Sequence, residues 1–114
     1  MDSSSLEPGQ TYYRLTFADR SLTMPALEPC VFIGTYEDQD GIARYAFQDT
    51  ASYVTQGSAL ESDLSDDDSV RVVLATAEAI PTTVITLDQA AEEIAKASIR
   101  ARAEGFPMLD VLKD

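Results

Sequence analysis

Alternating apolar and polar residues in the first part of the chain predict β-strands. In residues 11–18, TYYRLTFA, every second residue from Tyr13 to Phe17 is apolar. This period of two is typical of a half-buried strand. Pro25 and Pro29 interrupt the next apolar stretch. Because proline lacks the N–H that a strand donates to its neighbour, they predict an irregular edge or connector.

The sequence CVFIGTYEDQDGIARYAFQD predicts a β-hairpin. Its two runs, residues 30–37 and 42–48, are rich in β-branched and aromatic side chains and are separated by DQDG. The pair Asp40-Gly41 is favoured in tight turns, since glycine adopts positive φ at no steric cost. A further glycine, Gly34, predicts a bulge or bend of the kind that curls a small sheet.

The pattern becomes less regular after the hairpin. Residues 50–57, TASYVTQG, are expected to add a fourth strand, and residues 58–69 form a long loop with few apolar residues. The segment 70–79 is ambiguous, because its apolar spacing fits a helix while its three valines favour a strand. We prefer a strand at 70–76. A last short strand is expected at 82–86.

Residues 87–104, LDQAAEEIAKASIRARAE, carry a clear helical pattern. Thr86 and Gln89 are spaced as a capping box, with acids near the first turn and bases near the last, as the helix dipole favours. The apolar stripe includes Leu87 and Ile94 but is otherwise mostly alanine, so the helix can lie close to a sheet.

These elements predict an α+β fold in one domain. We expect a curled antiparallel sheet of four to six strands packed by one C-terminal helix, with a small, partly open barrel as a variant. A flexible N-terminal arm at 1–10 precedes a domain at 11–114. The domain divides into a β-meander at 11–57 with its hairpin at 30–48, an acidic loop at 58–69, further strands at 70–86, the helix at 87–104 and an apolar tail at 105–114.

Charge restricts the partners that the chain can bind. Its 114 residues contain 20 acids and 8 bases, a net charge of −12. Residues 37–68 hold nine acids and a single base, Arg44. Nucleic acids and anionic membranes are therefore disfavoured partners, whereas a basic protein would be attracted. There is no apolar run long enough for a membrane span and no signal-like start, so a cytoplasmic location is expected.

The residue types present argue against enzymatic chemistry. The chain has no histidine and one cysteine, Cys30, which we expect to be a small buried hydrophobe. Asp19 and Asp49 lie beside apolar strand residues and are the only candidates for an acid–base role. The turn YEDQDG resembles a calcium loop in spacing but lacks the first and twelfth ligands. We therefore expect no enzymatic activity, no metal and no cofactor.

Protein binding is the preferred function, in the manner of an inhibitor, an immunity-type protein or an adaptor. The acidic loop is interpreted either as a solvated segment that only keeps the domain soluble or, together with the hairpin tip, as an acidic end that docks a basic partner. The candidate contact residues are Glu37, Asp38, Asp40, Glu61, Asp63, Asp66, Asp67 and Asp68.

Two alternatives remain open. One is a structural homodimer assembled through the apolar tail, since such a tail should be packed. Its candidate contact residues are Phe106, Met108, Leu109 and Leu112. The other alternative is a small-ligand-binding domain with a pocket between sheet and helix.

Overall fold

Within residues 2–61 and 69–105, which the computed structural model describes, five antiparallel strands form one sheet in the order β4-β3-β2-β1-β5. The elements in chain order are a short 3-10 helix (Ser3–Ser5), β1 (Thr11–Phe17), β2 (Pro25–Glu37), β3 (Ala43–Asp49), α1 (Thr50–Gln56), β4 (Val72–Ala75), α2 (Ile80–Thr83), β5 (Val84–Ile85) and α3 (Leu87–Ala103). The predicted α+β class, with an antiparallel sheet and a C-terminal helix, is confirmed. The sheet is not closed, because β4 and β5 occupy opposite edges.

The predicted hairpin is confirmed as β2 and β3. Phe32 pairs with Phe47, and their rings lie 5.5 Å apart between centroids. The register shifts between Phe32 and Gly34, where φ is +138°. The bulge predicted at Gly34 is therefore present, at a backbone conformation that residues with a Cβ rarely adopt.

The two prolines do not interrupt the sheet. Pro25 begins β2 and pairs with Phe17 of β1, and Pro29 pairs with Tyr13. The expectation of an irregular connector was wrong, because this segment is part of β2. The expectation of a sheet edge is correct for the first residues of β2. Strand β2 pairs with β3 only from Cys30 onward. Before Cys30, where both prolines lie, β1 is the only strand in the described chain that pairs with β2.

The N-terminal segment is not a free arm. Leu6 is 8% exposed and belongs to the apolar core. The backbone N–H of Gly9 donates to the carbonyl of Phe32, whose own N–H donates to the carbonyl of Gln10. The expected arm at 1–10 is thus corrected for residues 2–10, because burial of Leu6 and these hydrogen bonds attach the segment to β2.

The fourth strand expected at 50–57 is helix α1. Asp49 caps its first turn by accepting a hydrogen bond from the N–H of Ser52 at 2.9 Å. Gly57 ends the helix with φ +81°. The β-forming residues in this segment favoured a strand, but the caps at both ends outweigh that preference.

The ambiguous segment after the acidic loop contains strand β4 at Val72–Ala75, which agrees with the strand preferred at 70–76. The strand expected at 82–86 is shorter than predicted, since α2 occupies Ile80–Thr83 and β5 only Val84–Ile85. Pro81 stands in the first turn of α2, where its missing N–H leaves no helical hydrogen bond unmade.

Both faces of the sheet carry apolar clusters. We call one of them the Phe47 face. On this face the side chain of Ile80 in α2 is completely buried. This cluster comprises Leu6, Tyr12, Cys30, Phe32, Phe47, Ile80 and Val84. The opposite face carries Val31, Ile33 and Ala46, against which Tyr53 of α1 and Ala59 pack. In β1, Tyr12 belongs to the Phe47-face cluster and is buried, whereas Tyr13, Leu15 and Phe17, which alternate with it, are half-buried.

Helix α3 has the predicted capping box, in which the Thr86 side chain accepts from the N–H of Gln89 and the Gln89 side chain accepts from the N–H of Thr86. Its buried residues are Ala90, Ala97 and Ala101, whereas Leu87 and Ile94 of the predicted stripe are exposed. The buried line therefore follows the alanines, whose small side chains permit close approach of a helix to a sheet.

Candidate functional site

The tip of the β2–β3 hairpin is organised by Asp38. One carboxylate oxygen accepts from the backbone N–H of Asp40 at 2.9 Å and of Ile42 at 3.0 Å. The other accepts from Nε of Arg44 at 3.0 Å. The Ile42 N–H and the Arg44 guanidinium lower the pKa of Asp38. The Asp38 carboxylate thus stabilises the turn, and its hydrogen bonds are made to residues of the hairpin itself.

The other two predicted tip residues are available at the surface. Glu37 and Asp40 are exposed, and neither side chain forms an ion pair with a described residue. Because Asp38 rigidifies the turn between them, their carboxylates project from a defined backbone.

The first part of the acidic loop is held by a buried glutamine, Gln48, which is 0% exposed. Its Oε1 accepts from the N–H of Ala59 at 2.9 Å, and its Nε2 donates to the carbonyl of Gly57 at 3.0 Å and to Oγ of Ser52 at 2.9 Å. Sequence reasoning missed this residue, because a polar residue at an alternating strand position is ordinarily expected to face solvent.

The loop then crosses the hairpin. A Cβ added at Gly34 would lie 3.0 Å from Cδ1 of Leu60, so the Leu60 side chain rests on the bulge. Glu61 follows Leu60 and is exposed. Since a strand rises about 3.3 Å per residue, Glu37 lies on the order of 10 Å along the same strand from this crossing. The chain at Leu60 therefore packs against β2, the strand that ends at Glu37.

The remaining predicted contact residues fall outside the described residues. They are Asp63, Asp66, Asp67 and Asp68 of the acidic loop, and Phe106, Met108, Leu109 and Leu112 of the apolar tail. We use the name acidic end for the exposed carboxylates of Glu37, Asp40 and Glu61.

The two candidates for acid–base chemistry, Asp19 and Asp49, both accept hydrogen bonds from within the fold. Asp19 accepts from the hydroxyl and N–H of Thr23 and from the N–H of Met24, which lowers its pKa. Burial raises the pKa of Asp49, but hydrogen bonds from Ser52 and Arg71 outweigh it, and the pKa is lowered overall. Lowered values favour the ionised acceptor, whereas a general acid needs a raised one.

Cys30 is buried, as the sequence predicts. Its thiol lies 3.5 Å from the carbonyl oxygen of Tyr12, to which it donates. Burial raises its pKa to about 11, so the reactive thiolate is scarce at neutral pH.

Residues 2–61 and 69–105 contain no group of three or more His, Cys, Asp or Glu side chains arranged to hold a metal ion. None of the helices in that part of the chain has the length and apolar character that a membrane crossing needs.

A cleft of about 330 Å³ lies on the Phe47 face of the sheet. The chain from Thr76 to Val84 runs from edge strand β4 to the opposite edge strand β5 and crosses this face through Ile80. Phe47 and Val73 line the cleft from the sheet side. This is a pocket between sheet and helix, although the helix is the short α2 and not α3.

The described part of the chain is an α+β domain with an open five-stranded antiparallel sheet, exposed carboxylates at the tip of its β2–β3 hairpin, and a cleft on one sheet face. Comparison with protein-family models, curated protein sequences and solved structures finds no match. The function must therefore be inferred from the fold and the geometry of the sites alone.

Proposed function

We propose that the chain is a non-enzymatic cytoplasmic domain that binds a basic protein through its acidic end, as an inhibitor, an immunity-type protein or an adaptor would. The observation that supports this most directly is the crossing of Leu60 over Gly34. This contact holds the start of the acidic loop against β2, three residues along that strand from Glu37.

The physical basis is electrostatic. A local excess of carboxylates on a chain of net charge −12 produces a negative field that raises the encounter rate with a cationic surface. Glu37 and Asp40 are exposed on a turn that Asp38 already holds, so a partner would meet them with little loss of backbone freedom. Asp38 itself supports the turn and is not proposed as a contact.

The test is capture of partners from native lysate with three forms of the protein. The first is wild type, and the second combines Glu37→Gln, Asp40→Asn and Glu61→Gln. The matched control, Glu78→Gln with Glu92→Gln and Glu104→Gln, removes three exposed carboxylates elsewhere. We expect wild type and control to retain the same basic protein, identified by mass spectrometry, and the acidic-end variant to lose it.

Salt provides the second readout. Capture should be strong at about 50 mM salt and largely lost at about 500 mM, because the Debye length shortens from over 10 Å to under 5 Å. Replacing Asp66, Asp67 and Asp68 together by asparagine extends the test to the loop. Equal capture by the acidic-end variant and the control, or capture that is insensitive to salt, would contradict the proposal.

A further inference from the structure

The cleft on the Phe47 face exists because short side chains line its walls. The segment from Thr76 to Val84 crosses the sheet, and Ile80 fills the space beneath part of it. Beside Ile80, the lining residues on the crossing segment and β4 include Ala75, Ala79 and Thr83. These side chains are too small to close the gap to Phe47. The resulting volume of about 330 Å³ lies at the lower end of the range of small-molecule sites.

The charge of the lining differs from that of the whole chain. The sequence has 20 acids and 8 bases, but the residues that line the cleft include two arginines, Arg14 and Arg44, and no Asp or Glu. The remaining lining residues are aliphatic, aromatic or threonine. The residues that line the cleft thus include no carboxylate, although the Glu28 carboxylate lies 3.4 Å from the guanidinium of Arg14.

Arg14 is the cation best able to hold such an anion. Arg44 is already paired with Asp38 at 3.0 Å. Arg14 pairs with Glu28 at 3.4 Å, and the two side chains are 30% and 52% exposed. An exposed pair of this kind contributes about 0–1 kcal/mol, so a ligand anion can displace Glu28 at little cost.

A second guanidinium lies near the same rim. Arg71 borders a small depression that shares Arg14, Phe47 and Val73 with the cleft. Arg71 is exposed and forms no ion pair with a described residue. The same depression is also lined by Glu28 and Asp49, so Arg71 offsets part of their negative charge near Arg14.

We propose that the cleft binds a small amphipathic carboxylate, with its apolar part against Phe47, Val73 and Ala75 and its carboxylate on the guanidinium of Arg14. Arg–carboxylate pairs can form two parallel hydrogen bonds, which would orient the ligand head at the rim. This site uses none of the carboxylates of the acidic end, so it goes beyond the proposed protein-binding function and can be tested separately.

The experiment is an NMR titration of the ¹⁵N-labelled full chain with sodium octanoate, compared with octylammonium and 1-octanol. We expect octanoate to shift amide signals around Phe47, Val73 and Ala75 and to bind more tightly than the other two probes. Ala79→Leu, which fills the cleft, should abolish these shifts. Thermal unfolding followed by circular dichroism verifies that each variant is folded.

Two variants at the ion pair test the role of Arg14. Arg14→Leu should weaken octanoate binding about tenfold or more, because a hydrogen bond to a charged group is lost. Glu28→Gln should strengthen it by releasing Arg14 from its competitor. Absence of octanoate binding, equal binding of octylammonium or octanol, or an affinity unchanged in both variants would overturn the proposal.

Discussion

At the scale of single residues, Gln48 is the residue that fixes the start of the acidic loop, although it is not itself a candidate contact. Its side-chain amide connects the end of β3 to Ser52 in α1 and to both Gly57 and Ala59 at the start of the loop. Because Gln48 is fully buried, these hydrogen bonds satisfy side-chain amide atoms that water does not reach. The position of Leu60 and Glu61 on the hairpin depends on this anchor.

The substitution Gln48→Leu should therefore destabilise the fold, because it leaves the N–H of Ala59 and the carbonyl of Gly57 without their partner. We expect a loss of about 1–3 kcal/mol in the free energy of unfolding, measured by urea denaturation. The matched control is Gln56→Leu at an exposed position, which should change stability by less than about 0.5 kcal/mol. Equal effects at the two positions would show that burial of the amide is unimportant.

Residue-scale reasoning from the sequence succeeded where the cause is local. Gly34 and Cys30 were predicted correctly, since a bulge glycine and a cysteine in an apolar strand each carry a signal in their immediate neighbours. Gln48 was not predicted, because what makes it important is the approach of Gly57 and Ala59, which the strand pattern does not encode.

At the scale of elements, α1 is the clearest difference between expectation and structure. Its residues have strand propensity, but Asp49 supplies an N-terminal cap and Gly57 a C-terminal one. Asp49 also accepts from the N–H of Arg71 at 2.9 Å, and its own N–H donates to the carbonyl of Arg71 at 3.0 Å. One carboxylate therefore joins α1 to the chain that enters β4.

Asp49 should make part of the stability depend on pH. Its folded pKa is lowered from 3.8, so its contribution is present above that value and is lost as the pH falls through the folded pKa. We expect Asp49→Asn to destabilise by about 1 kcal/mol or less near neutral pH. The difference from wild type should shrink well below pH 3.8.

Urea denaturation at the two pH values measures this difference. The control is Asp40→Asn, since the exposed Asp40 side chain accepts no hydrogen bond from the described residues. Its effect on unfolding should differ little between the two conditions. A constant difference between wild type and Asp49→Asn at both pH values would contradict the assignment.

At the scale of the whole molecule, the net charge of −12 opposes compactness. Repulsion among like charges destabilises a folded chain and is reduced by salt. We expect the midpoint of thermal unfolding to rise by several degrees between about 50 mM and about 500 mM sodium chloride. The variant that combines Glu78→Gln, Glu92→Gln and Glu104→Gln should show a smaller rise. A midpoint that falls with salt would show that ion pairs outweigh the repulsion.

The sequence by itself determined the features that arise from local chemistry. It determined the β2–β3 hairpin, the capping box of α3, the α+β class and the acidity of the middle of the chain, because turn glycines, helix caps, periodicity and charge are all encoded within a few residues. Only the tertiary structure decided the burial of Leu6, the crossing of Leu60 over Gly34 and the cleft beside Arg14. Each of these joins residues far apart in sequence, and the packing that selects such contacts acts on the folded chain as a whole.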